Sequence, residues 1–266
     1  MFRRLLALAL CALLAPPLSA GDVGDGVRLE ILDGGRTERG TYLGAIRLTL
    51  PEGWKTYWRA PGDAGIPPQF DWRGSRNIGA MAFTWPAPRV FDQNGLRSVG
   101  YERQMVLPVE ITPENSERPV RLKGRMDFGY CKDVCVPGTL PFDHVLDAGA
   151  GRNPAIAAAL AQRPYSASEA GVRAAVCRIT PTEGGMRIEA HIEMPSAGGT
   201  EYAVIEPGGR SLWVSEAATT RQGGTLIASS EIRHDGGGAF ALDRSAIRIT
   251  VLGDSHAVDI RGCRPG

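Results

Sequence analysis

Apolar residues alternate with others along Val120, Leu122, Gly124, Met126, Phe128 and Tyr130, and the run leads straight into Cys131. A period of two places one set of side chains on one face of an extended chain, so such a run predicts a half-buried strand. The same pattern recurs at Val27, Leu29 and Ile31, at Ile46, Leu48 and Leu50, and at Met105, Leu107, Val109 and Ile111. Turn clusters fall between these runs: Asp33-Gly34-Gly35, Ala60-Pro61-Gly62-Asp63 and Asn94-Gly95. With 34 Gly and 19 Pro, about a fifth of the chain against the usual ~12%, a helical bundle is disfavoured. Regular short strands joined by tight turns predict an all-β chain of antiparallel sandwiches.

Alternation resumes later, at Met186, Ile188, Ala190, Ile192 and Met194. Shorter candidate strands follow at 203–206, 212–214, 226–228 and 247–252, and Arg233-His234-Asp235-Gly236 reads as a hairpin turn. Between the two blocks the composition shifts near residue 147. Residues 155–162 are Ala-rich, with Asn153 as N-cap, Pro154 at the first helical position and Pro164 as the stop. The expected organisation is therefore a leader at 1–20, a sandwich at 21–147, a linker with a short helix at 148–170 and a second sandwich at 171–266.

The leader reads as a secretory signal peptide. Arg3-Arg4 is followed by ten apolar residues, Leu5 to Leu14, and Leu18-Ser19-Ala20 ends on a small residue before Gly21. The run is too short to span a bilayer, which needs about 20 apolar residues. Leu10 before Cys11 does not suit lipid attachment. Without Arg3 and Arg4 the 30 basic residues become 28 against 29 acidic. Near-neutral charge argues against nucleic-acid binding by phosphate neutralisation.

Without Cys11, four cysteines remain: Cys131, Cys135, Cys177 and Cys263. An even number in an exported chain reads as disulfides. Spacing favours 131/135 and 177/263 among three pairings. A 177/263 bridge closes a long loop and stabilises the fold by about 4 kcal/mol on a chain-entropy account. A bridge over three intervening residues constrains the unfolded chain far less, which makes Cys131/Cys135 the candidate for chemistry. Spacing alone does not choose between a dithiol–disulfide exchanger and a permanent clip. An exchanger needs no cofactor, and here Lys132 favours thiolate while Asp133 opposes it. Two thiolates also suit a soft ion such as Cu(I), but a third ligand is missing: His144 is the nearest His and Met126 belongs to the alternating run. No nucleophile elbow, phosphate loop or His-Glu-x-x-His motif occurs. Aromatics concentrate in the first block, and Trp54-Lys55-Thr56-Tyr57-Trp58-Arg59 carries them on both faces, so that one face could shield or present a site.

These residues carry a resemblance. In order along the chain stand Gly53-Trp54-Lys55-Thr56-Tyr57-Trp58-Arg59, Trp85-Pro86, Phe91-Asp92-Gln93-Asn94-Gly95, Gly100-Tyr101, Leu107-Pro108-Val109, and Asp127-Phe128-Gly129-Tyr130-Cys131-Lys132-Asp133-Val134-Cys135-Val136-Pro137. Over residues 25–147 this resembles the N-terminal periplasmic domain of the DsbD family, including its ScsB-type relatives linked to copper tolerance. The second block resembles the second immunoglobulin-like domain of ScsB-type proteins. The resemblance implies immunoglobulin-like sandwiches and a periplasmic protein-disulfide reductase component whose Cys131/Cys135 pair passes electrons to oxidised partners. Cys135 would be the sulfur that partners attack, and Phe91 to Leu96 would match the cap loop that covers the disulfide with an aromatic ring. Tyr57, Asp92 and Tyr130 would line the site, and Cys177 and Cys263 would form a structural bridge. The implied partners are thioredoxin-like periplasmic proteins. The chain contains neither the family's membrane segment nor its thioredoxin-like domain, so the expectation is that either a separate membrane electron transporter reduces it or it has lost that role. Two further departures stand out: Cys-x-x-x-Cys is shorter than in DsbD itself, and Gln93-Asn94 occupy the aromatic cap position. A copper-binding protein using the same thiolates, and an adaptor with permanent disulfides, are the rival readings.

Overall fold

The computed structural model describes residue 24 and residues 26–62, 65–93, 96–209 and 211–266. The expected leader lies outside them, as do Asn94 and Gly95 of an expected turn. Among the described residues, ten strands precede residue 146: β1 (Arg28–Arg36), β2 (Tyr42–Thr49), β3 (Lys55–Tyr57), β4 (Gln69–Asp71), β5 (Ala80–Phe83), β6 (Arg89–Gln93), β7 (Leu96–Glu102), β8 (Gln104–Thr112), β9 (Arg121–Cys131) and β10 (Cys135–Val145). They form one sheet of order β1-β2-β8-β5 and another of order β10-β9-β3-β7-β6, with β4 also pairing β9. Alternation works as the sequence requires: Ile46 and Leu48 of β2, Met105 and Leu107 of β8, and Met126, Phe128 and Tyr130 of β9 all enter one core. The result is an antiparallel sandwich.

Helix α1 (Pro154–Ala161) follows, and the Asn153 side chain accepts from the Ala155 and Ile156 backbone N–H groups. Its buried Ile156 packs over Gly34, where a Cβ would come within 3.1 Å of Ile156 Cδ1. The helix is therefore docked on the first sandwich.

The remaining strands are β11 (Tyr165–Ser166), β12 (Ala174–Thr182), β13 (Gly185–Glu193), β14 (Tyr202–Glu206), β15 (Leu212–Val214), β16 (Ala218–Gln222), β17 (Thr225–His234), β18 (Arg248–Leu252), β19 (Ala257–Arg261) and β20 (Arg264–Pro265). They build sheets of order β11-β19-β18-β14 and β15-β17-β13-β12-β20, with β16 also on β17. Pairing is antiparallel except for the two-residue parallel contacts of β11 with β19 and β20 with β12. Arg233 and His234 end β17 and the chain turns at Asp235-Gly236, but the next strand, β18, lies in the other sheet, so this is a crossover and not the expected hairpin. Cys177 of β12 is bonded to Cys263, which ties down the chain end beside β20.

The two sandwiches share apolar packing. Leu252 and Ala257 belong to the buried cluster of Trp58, Phe128 and Tyr130, with Tyr202 and Val204 against it. Arg59 pairs with Glu206 through two hydrogen bonds of 3.0 and 2.8 Å, and its guanidinium lies 3.7 Å from the Trp58 ring.

Candidate redox site

The alternation that buries Met126, Phe128 and Tyr130 turns Gly129 and Cys131 to the outer face of the sheet. A tight hairpin of Lys132, Asp133 and Val134 follows, and β10 returns in a register that sets Cys135 directly opposite Cys131. The two are disulfide-bonded, with Cα atoms 4.2 Å apart. Their exposures differ: Cys131 is 1% exposed, whereas Cys135 is exposed beside Val134 at 70%. Of the two residues, Cys135 is the one that faces solvent.

Tyr57 meets both sulfurs. Its hydroxyl lies 2.7 Å from Cys131 Sγ and 3.1 Å from Cys135 Sγ. Sulfurs in a disulfide carry no hydrogen, so the phenol donates. Burial raises the Tyr57 pKa and keeps it protonated. Two glycines let the chain close around this strand and ring. A Cβ on Gly100 would come 1.9 Å from the Thr56 carbonyl oxygen, and one on Gly129 would meet Ile66 Cβ at 2.7 Å and Tyr57 Cδ2 at 3.2 Å.

Lys55 is a residue of this face that the sequence reading did not single out for the site. It sits directly opposite Cys131 across β3 and β9 and shares its face. It is 7% exposed, and burial lowers its pKa. Nζ donates to Ser98 Oγ at 3.1 Å and lies 5.1 Å from the centre of the Phe91 ring. The available signal was parity: two residues before Tyr57 in a strand, a side chain must share the face of Tyr57. Lys132, the cation singled out from sequence, runs over the turn at Gly53, with Cε 3.4 Å from the position a Cβ would take there.

The other expected site residues separate. Phe91, opposite Ser98 in the β6–β7 hairpin, reaches the site through Lys55. Asp92 is exposed and lies 3.9 Å from Arg97, its register partner. Tyr130 faces away from the sulfurs into the core, where its ring meets Trp54 at 5.0 Å and Phe128 at 5.7 Å. Met126 is fully buried there too, and His144 is bound to Asp33 further along the hairpin. Among the described residues no cluster of three His, Cys, Asp or Glu side chains is placed to hold a metal ion, and no helix is long and apolar enough to cross a membrane.

Residues 36–146, which contain the whole site, match the family described as "Thiol:disulfide interchange protein DsbD, N-terminal". The resemblance read from the sequence motifs is borne out over these residues. The fold matches the crystal structure of the N-terminal periplasmic domain of ScsB from Proteus mirabilis, with a TM-score of 0.69 and 20% identity over 93% of this chain and 97% of that one. The N-terminal domain of DsbD from Neisseria meningitidis in its reduced form matches with a TM-score of 0.28 and 17% identity, over 46% of this chain and 85% of that one. No curated protein matches the chain.

Proposed function

We propose that this chain is a periplasmic thiol–disulfide interchange protein whose Cys131/Cys135 pair relays electrons between a thioredoxin-like or membrane-bound donor and oxidised partner proteins. The observation that carries the reading is the asymmetry of the pair. One sulfur belongs to an exposed residue and the other to a buried residue with a phenol donor 2.7 Å from it. A permanent clip has no use for that difference, whereas an exchange reaction needs an accessible electrophile and a stabilised leaving group.

A donor thiolate attacks Cys135 Sγ, the Cys131–Cys135 bond breaks, and its electron pair leaves on Cys131 Sγ. The Tyr57 hydroxyl donates to that new thiolate. The donor's second thiolate then attacks its own sulfur in the mixed disulfide and expels Cys135 as thiolate. The donor ends as a disulfide, two electrons poorer, and the pair ends reduced. The same steps in reverse pass the electrons to an oxidised client. Apolar Val134 and Ile66, 70% and 41% exposed, flank the site and offer a partner a surface to settle on.

Trapping tests the assignment. Cys131→Ser leaves Cys135 as the sole site thiol and is expected to accumulate a mixed disulfide with a thioredoxin-like partner, while Cys135→Ser is expected to form none. Exchange that persists in Cys135→Ser refutes it.

A further inference from the structure

A buried cation is costly, and Lys55 is one. All three residues of β3 are buried, because the strand is central in its sheet and its outer face is covered. On that face Lys55 stands opposite Cys131, and Tyr57, two residues on, touches both sulfurs. The Lys55 side chain is fixed at its far end by Ser98 Oγ and by the Phe91 ring. Its charge is thus tied, on the same shielded face as the pair, to groups of β7 and β6, the strands on the other side of β3 from β9.

The disulfide is neutral. Reduction places an anion on Cys131, at 1% exposure, where water solvates it poorly. Hydrogen bonding from Tyr57 meets part of that cost. A fixed positive charge on the same face meets more, since charges interact more strongly where solvent is excluded.

We propose that Lys55 is a positioning residue of the redox pair, its ammonium stabilising the thiolate that Cys131 becomes when the disulfide is reduced. The inference rests on the exchange reading and deepens it: Lys55 makes Cys131 the better leaving group and so directs attack to Cys135. The bookkeeping is that of the exchange itself. The electron pair of the broken S–S bond stays on Cys131 Sγ, and Lys55 keeps its proton throughout. Other charged groups lie on the neighbouring strands and in the turn. Glu102 of β7 is opposite Lys55, Arg89 of β6 is opposite Gly100, Asp127 of β9 lies on the same face, and Lys132 and Asp133 form the hairpin turn. The test therefore compares variants at Lys55 alone, with these groups unchanged.

The experiment is a pH titration of Cys131, followed by the NMR shift of its 13C-labelled Cβ. It uses the full chain without its leader, in a Cys135→Ser background, where Cys131 is the single free thiol. Lys55→Met is expected to move the titration midpoint up by about one pH unit, a tenfold loss of thiolate at a given pH, and Lys55→Arg to restore most of it. Lys55→Gln replaces the Met variant if thermal melting shows the latter unfolded. A midpoint that Lys55→Met or Lys55→Gln leaves in place, or one that Lys55→Arg fails to restore, overturns the proposal while exchange itself stands. A wild-type Cys131–Cys135 bridge that glutathione buffers never open sinks the exchange reading instead, and the role of Lys55 with it.

Discussion

Tyr57 donates one hydroxyl proton toward two sulfurs, and the shorter contact is to the buried one. A hydrogen bond to a charged group contributes about 1.5–3 kcal/mol, so its loss in Tyr57→Phe is expected to slow reduction by a small dithiol about tenfold or more. Stopped-flow fluorescence measures this, and an unchanged rate removes Tyr57 from the leaving-group role. Gly100 permits the close approach of β3 and β7 beside that ring. Gly100→Ala drives a Cβ to 1.9 Å from the Thr56 carbonyl oxygen and is expected to cost about 3 kcal/mol in urea denaturation. Much of this was legible in the residues. Alternation through residue 130 already put Tyr130 in the core and Cys131 outside, so naming Tyr130 as site-lining ignored the parity that the run itself displays. Lys55 went unread because the Trp54–Arg59 run carries aromatics on both faces and does not say which face is covered; in the fold Lys55 is 7% exposed.

At the level of elements, the β9–β10 hairpin is the unit that presents the pair. Its eleven register pairs run unbroken from Cys131↔Cys135 to Arg121↔Val145. β10 is an edge, and Pro137 and Pro141 lie along it, where a missing N–H blunts pairing with another chain. The long alternating strands and the capped helix were plain in the sequence, since each carries its own periodicity or cap. Strand β3 was not, because three residues hold no period, and its central place comes from β7 and β9 on either side. The cap gives this scale its prediction. Asn153→Ala removes the acceptor for two helical N–H groups and is expected to lower stability by about 1 kcal/mol, a fall of roughly 2–4 °C in melting temperature. A melt coincident with wild type contradicts the docked-helix account.

Across the whole molecule, Arg59 joins the two sandwiches. Its side chain is largely buried, burial lowers its pKa, and Glu206 supplies two hydrogen bonds from the second sandwich. Glu206→Ala strands that charge and is expected to cost about 2 kcal/mol, less than a fully buried pair because Glu206 keeps some solvent contact. No periodicity could announce this joint, since it connects residues 147 apart in sequence. Nearby, Asp259 is half-buried. Burial raises its pKa, but hydrogen bonds from Arg248 and the charges of Arg248, Arg261 and Arg59 outweigh that and leave it below the ordinary value. A carboxylate depressed in the folded state gives stability that is complete above its unfolded pKa, near 4, and is lost as pH falls through the folded one. Melting temperature is therefore expected to drop below about pH 4, with a shallower slope in Asp259→Asn; parallel slopes contradict this. The two disulfides differ in setting, one closing a hairpin over a separation of 4 residues and the other joining residues 86 apart, and one measurement compares them directly: titration of residues 21–266 in glutathione buffers, with alkylation and peptide mass mapping of each cysteine. The account predicts that Cys131–Cys135 opens at a potential well above about −300 mV while Cys177–Cys263 stays closed. If both bridges stay closed down to that potential, the short bridge is a structural clip and the exchange function is wrong.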